Sequence, residues 1–178
     1  MTKLAAKLRA FRAEEDGAGT LEFILILPFY LILFTSAYEG GVLSTRHVML
    51  ERGLDVTVRE VRIGRLPDPT NDNLSARICE VASIIPNCLT NIRLEMLVRE
   101  PRNFANVGDI DCVDRTVNNQ PAVVFNNTGD NNDLMILRAC VLFDPMLPTS
   151  GLGKAIPKKS GSAYALVATS SYVMEPFQ

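Results

Sequence analysis

The stretch "GAGTLEFILILPFYLILFTSAYEGG", residues 17–41, decides how this chain is read. Between Glu22 and Glu39 lie sixteen residues without a charge, Phe23 to Tyr38, and Leu21 together with Gly40–Leu43 carries the segment past twenty. That length suffices for a helix to cross a bilayer core of about 30 Å. A buried core helix would show a polar face, and this segment has none. A cleaved secretory signal needs a shorter apolar core of roughly 7–15 residues and a small-x-small cleavage site. "TSA" at 35–37 matches such a site weakly, so a retained span is the reading carried forward, with removal after Ala37 as its rival. Pro28 would break a helix in water and is tolerated in lipid, with a kink expected near Ile24.

Working outward, the leader "MTKLAAKLRAFRAEEDG" places Leu4, Leu8 and Phe11 at helical spacing, as an amphipathic helix on the membrane face or a simple tether. Lys3, Lys7, Arg9 and Arg12 precede the span and Arg46, Arg52, Arg59 and Arg62 follow it, so the positive-inside count is close to a tie. Four cysteines, Cys79, Cys88, Cys112 and Cys140, all lie downstream. An even number there suits disulfides in an oxidising compartment and places the C-terminal part outside the cytoplasm. Four cysteines allow three connectivities; Cys79–Cys88 with Cys112–Cys140 closes the shortest loops. Zinc is the alternative, and no C-x-x-C pair supports it.

One long helix is expected from Leu21 to about Ile63, leaving the membrane near Leu43 and stopping at Gly64 before "RLPDP". Its second half sets Val48, Met49, Leu54, Val58 and Val61 near one face, with Arg46, Arg52, Arg59 and Arg62 elsewhere. "LSARICEVASIIP" reads as a short helix bounded by Pro86. "NIRLEMLVRE" alternates with a period of two, broken only at Leu97, and reads as a half-buried strand. "PAVVFNN", "LMILRACVLFD" and "AYALVATSSYVME" read as three more, with connections short enough for antiparallel pairing. The expected class is α+β: a transmembrane helix continuing into a small antiparallel sheet domain of about four strands. The divisions are 1–17 leader, 18–43 span, 44–64 extracytoplasmic helix and 65–178 domain.

Sites of chemistry are sparse. A net charge of −2 gives no basic footprint for nucleic acid. The single histidine, His47, has no nucleophile or carboxylate beside it in a recognisable catalytic pattern and reads as a helix-surface residue. "NNTGDNND" lacks the spacing of a calcium loop and reads as a hairpin loop. The sequon at Asn126 is one in form only. No catalytic residue, metal site or cofactor is assigned, and an enzyme is not expected.

Weight therefore returns to residues 17–23. If Gly17 ends a removed leader, Ala18 becomes residue one and Glu22 residue five of the mature chain. A small residue before the scissile bond, a glutamate five residues after it and an apolar helix onward resemble the type IV prepilin processing signal. The wider block, with Glu22-Phe23 opening the span, Pro28 inside it and Glu39-Gly40-Gly41 after it, resembles the TadE-like proteins of tight-adherence (Flp) pilus systems. The resemblance covers residues 17–64, and the rest by architecture, with "ATSSYVMEPF" similar to a common last strand.

The resemblance implies a non-catalytic pseudopilin or assembly factor of the bacterial inner membrane, its N-terminus cytoplasmic and its domain periplasmic. It fits residence in the membrane or entry into the pilus. The implied partners are a prepilin peptidase, acting at Gly17, Ala18, Glu22 and Phe23, other pilus subunits with their inner-membrane platform, and the lipid bilayer. Subunit assembly would engage Glu22 with the amine freed at Ala18 of a neighbour. The energetics allow this role. An exposed carboxylate gains only about 0.3–1 kcal/mol from the helix dipole, while an acidic group deep in hydrocarbon costs about 2.5–3.5 kcal/mol. Snorkelling at the interface is the plainer reading of Glu22, and a signal-anchored binding module unrelated to pili is the second reading of the chain.

Overall fold

The structure is a computed structural model that describes residues 5, 7, 9–11, 18–66, 69–100, 107–117, 120, 122–127 and 133–173. Helix α1 runs unbroken from Ala18 to Arg62 and passes through Pro28. It is long and apolar enough to cross a membrane. Gly64 ends it as the sequence suggests. At φ +71° it adopts the left-handed conformation that costs glycine least, its N–H bonds to the Val61 carbonyl, and the Arg65 N–H bonds to that of Glu60.

Helix α2 (Asn71–Val81) starts three residues before the expected Leu74, because the Thr70 hydroxyl caps the Asn73 N–H and Asp72 sits in the first turn. It also ends at Val81, short of Pro86. A short helix α3 (Cys88–Asn91) follows Asn87, which takes φ +50°. The Cys79–Cys88 disulfide ties α2 to α3.

Three strands complete the domain: β1 (Ile92–Arg99), β2 (Leu134–Phe143) and β3 (Tyr164–Val173), antiparallel in the order β1-β2-β3. A short helix α4 (Gly151–Ala155) interrupts the β2–β3 connection. The fourth expected strand, "PAVVFNN", is reduced to one parallel bridge, Met96 with Phe125, held by bonds from Met96 N to Val124 O and from Asn126 N to Met96 O. Four apolar residues between a proline and two asparagines supply a bridge but no ladder.

Leu94, Met96, Met135, Leu137, Ala139, Val141, Phe143, Tyr164 and Tyr172 share one face of the sheet and form the core with Leu50, Leu54 and Val58 of α1 and Leu74 and Ile78 of α2. The opposite face is covered too, which accounts for Leu97 breaking the alternation. Leu97 pairs with Ile136, and both are buried, as is Ile110 in the extended segment 107–114. The Cys112–Cys140 disulfide staples that segment to β2. On the same face Arg138 donates to Glu95, its direct cross-strand partner, through Nε at 2.8 Å. Both disulfides follow the shortest-loop connectivity.

The second half of α1 corrects the expected apolar face. Val48 is exposed, whereas Arg46 is buried against the domain. The stripe that packs inward runs at alternating three- and four-residue steps: Glu39, Leu43, Arg46, Leu50, Gly53, Thr57 and Glu60. Its polar members each find partners, since burying an unpaired one would cost about 1–3 kcal/mol. The Thr57 hydroxyl donates to the Gly53 carbonyl at 2.8 Å, and Glu60 accepts two bonds from Arg77, at 2.8 and 2.7 Å. Gly53 sits at a close approach of α2: a Cβ there would lie 2.9 Å from the Ile78 carbonyl oxygen.

Candidate functional site: the uncovered half of α1 and the clamp at Glu39

From Gly19 to Phe34 the domain covers almost nothing of α1. Phe23, Phe29 and Leu33 are 60, 70 and 71 % exposed. Just above it, Thr35 Oγ1 donates back to the Leu31 carbonyl at 2.7 Å, so that hydroxyl is satisfied within the helix. Such a surface is costly in water and stable in lipid or against other apolar helices.

Of the residues singled out for processing, Gly17 lies outside the described residues. Ala18 is the first residue of α1; Glu22 and Phe23 follow one turn later, both exposed. Among the described residues Glu22 has no hydrogen-bond or ion-pair partner. Residues 128–132 of "NNTGDNND" also lie outside the described residues.

Glu39 is the opposite case. It stands seventeen residues, about 25 Å, along the helix from Glu22 and is completely buried. Its two carboxylate oxygens accept from consecutive backbone N–H groups, Met146 to Oε1 and Leu147 to Oε2, each at 3.0 Å. Two turns further, Arg46 is 8 % exposed. Its guanidinium lies 5.2 Å from the Phe143 ring centroid and donates to the Tyr164 hydroxyl and the Met146 sulfur, each at 3.5 Å. Glu39 and Arg46 thus grip the start of the β2–β3 connection from two levels of one helix face. Burial raises the Tyr164 pKa, and the Arg46 guanidinium opposes that shift.

The small residues beside the clamp bring the connection closer still. A Cβ on Gly40 would lie 3.4 Å from Leu152 Cδ2, and one on Gly151 would lie 3.4 Å from Ser36 Oγ and 3.9 Å from Ile32 Cγ2. The domain therefore reaches down α1 into the apolar run itself. On another side of the same level, Tyr38, Gly41, Val42, Thr45, Arg46 and Ile84 line an open, mostly apolar groove.

The sequence had Glu39 only as an element of a resemblance and placed Arg46 away from the packed face. The signal that finds them is the three- and four-residue spacing from Glu39 to Glu60, invisible when only apolar residues are counted. His47 faces the domain's edge, with Nε2 3.3 Å from the Val167 carbonyl oxygen and 3.6 Å from Glu51 Oε1. Among the described residues no three His, Cys, Asp or Glu side chains gather to hold a metal ion. Compared with protein-family models, curated proteins and solved structures, the chain finds no match in any of the three.

Proposed function

We propose that this chain is a non-catalytic, membrane-anchored pseudopilin or assembly factor of a bacterial tight-adherence pilus, processed between Gly17 and Ala18 by a prepilin peptidase. The observation that carries this reading is Glu22: a carboxylate without a described partner, one turn into a helix whose next three turns the domain leaves bare. A charge kept at the head of an apolar helix, where placement in lipid costs about 2.5–3.5 kcal/mol, calls for a partner supplied by another molecule. The amine freed at Ala18 of a neighbouring subunit has the complementary charge. Two disulfides in the domain favour the oxidising side of the membrane for it, with the N-terminus cytoplasmic.

The N-terminus of the mature protein, determined from its host, tests this. A start at Ala18, abolished by Gly17→Ala or by loss of the peptidase, is the expected result. An intact Met1 would leave a plain signal anchor bearing a binding module. A start near Tyr38 would mean a secreted domain, and either outcome would displace the pilus reading.

A further inference from the structure

The span and the domain compete for the same part of α1. Twenty residues separate Gly19 from Glu39, a rise of about 30 Å, which matches a hydrocarbon core of about 30 Å. Yet Gly151 already packs at Ser36 and Ile32. These lie about 4.5 and 10 Å below Glu39 along the helix. The helix left bare below Ile32 rises only about 20 Å from Gly19. Either the bilayer thins by about a third or the β2–β3 connection enters it.

The connection is built for the second outcome. Residues 147–152, "LPTSGL", carry no charge, and no acidic residue occurs between Asp144 and Glu175. Several backbone N–H groups of the connection find partners within the protein, which lowers the cost of meeting an acyl boundary. Those of Met146 and Leu147 bond to Glu39. Those of Ser150, Lys154 and Ile156 bond to the carbonyls of Leu147, Ser150 and Leu152, and that of Gly153 to the Ser150 hydroxyl. Two residues past the tip, Lys154 is exposed in the last turn of α4, and its ammonium suits a phosphate headgroup.

We infer that residues 147–152 form a membrane foot, seated in the headgroup and upper acyl region of the phospholipid surface from which α1 emerges. The buried carboxylate of Glu39 then has a second consequence: it fixes the foot to the span, so that the domain meets the bilayer in one orientation. This inference rests on α1 crossing a membrane and is independent of any role in a pilus.

The chain contains no tryptophan, so a single introduced one reports its own depth. Thr149→Trp places the probe at the exposed tip, Phe29→Trp in the span and Ile63→Trp at the far end of α1, where Ile63 is 65 % exposed. Each full-length variant is reconstituted into phosphatidylcholine–phosphatidylglycerol vesicles with and without bromine on the acyl chains. The foot predicts roughly two-fold quenching for Phe29→Trp and Thr149→Trp, from a shallow burial of about 5–10 Å for the latter, and little for Ile63→Trp. Quenching of Phe29→Trp without Thr149→Trp overturns the foot and leaves the span intact. Quenching of neither overturns both. Pro148→Trp, at an adjacent exposed position, gives the same readout should Thr149→Trp fail to fold.

Discussion

Residues 19–34 and 39–60 of α1 share one backbone geometry and differ in what touches them. The lower stretch is mostly apolar and almost bare; the upper one carries acids, arginines and two threonines, several of them buried. Glu22 and Glu39 condense the contrast: one carboxylate is exposed and without a described partner, the other is enclosed and holds two backbone N–H groups. A carboxylate near a membrane boundary therefore cannot be interpreted from its charge alone. What matters is whether the chain itself supplies the donors.

That comparison can be broken most directly at Glu39. Glu39→Ala leaves the Met146 and Leu147 N–H groups without their acceptor and is expected to destabilise the domain by about 2–4 kcal/mol, measured by denaturant unfolding in detergent. Glu22→Ala should change the same transition by less than about 0.5 kcal/mol, as a surface change does. Equal effects would erase the distinction between the two halves.

Glycine substitution sharpens it further. Gly53→Ala drives a methyl group against the Ile78 carbonyl, 2.9 Å away, and should cost about 1–3 kcal/mol. Gly41→Ala meets nothing within 4 Å, and it should stabilise the helix by up to about 1 kcal/mol. Thermal melts of the two variants should move in opposite directions.

A smaller effect concerns acid. Hydrogen bonds from Arg77 hold the Glu60 carboxyl below the usual carboxylate range, with burial opposing them. Asp144 is held down likewise, chiefly by its bond from Arg115. A depressed folded-state pKa contributes stability above the unfolded value, near pH 4, and that contribution is lost as pH falls through the folded value. Unfolding midpoints should therefore drop below about pH 4, and Glu60→Gln should flatten the decline.

Much of this was legible in the sequence where one force acts alone. The apolar run from Phe23 to Tyr38, the stop at Gly64 and the strand at 92–99 follow from hydropathy, backbone freedom and period. Reading failed where polar groups substitute for apolar ones. Arg46 falls outside the packed face when only apolar residues are counted, and the fold supplies the Phe143 ring and Tyr164 hydroxyl that receive it. The start of α2 lies three residues before the apolar pattern begins because the Thr70 hydroxyl caps the Asn73 N–H, a contact that hydropathy does not register. As for the site, the spacing from Gly17 to Glu22 could be counted, but the donors that enclose Glu39 lie more than a hundred residues away in the chain.

The role of Glu22 in the cell is the most direct test of an assembly function. Piliation of host cells carrying Glu22→Ala, counted by electron microscopy alongside the unfolding midpoint of the purified protein, measures it. The expected result is loss of pili with the midpoint unchanged. Normal cleavage and normal piliation would contradict it and return Glu22 to a carboxylate resting at the membrane surface.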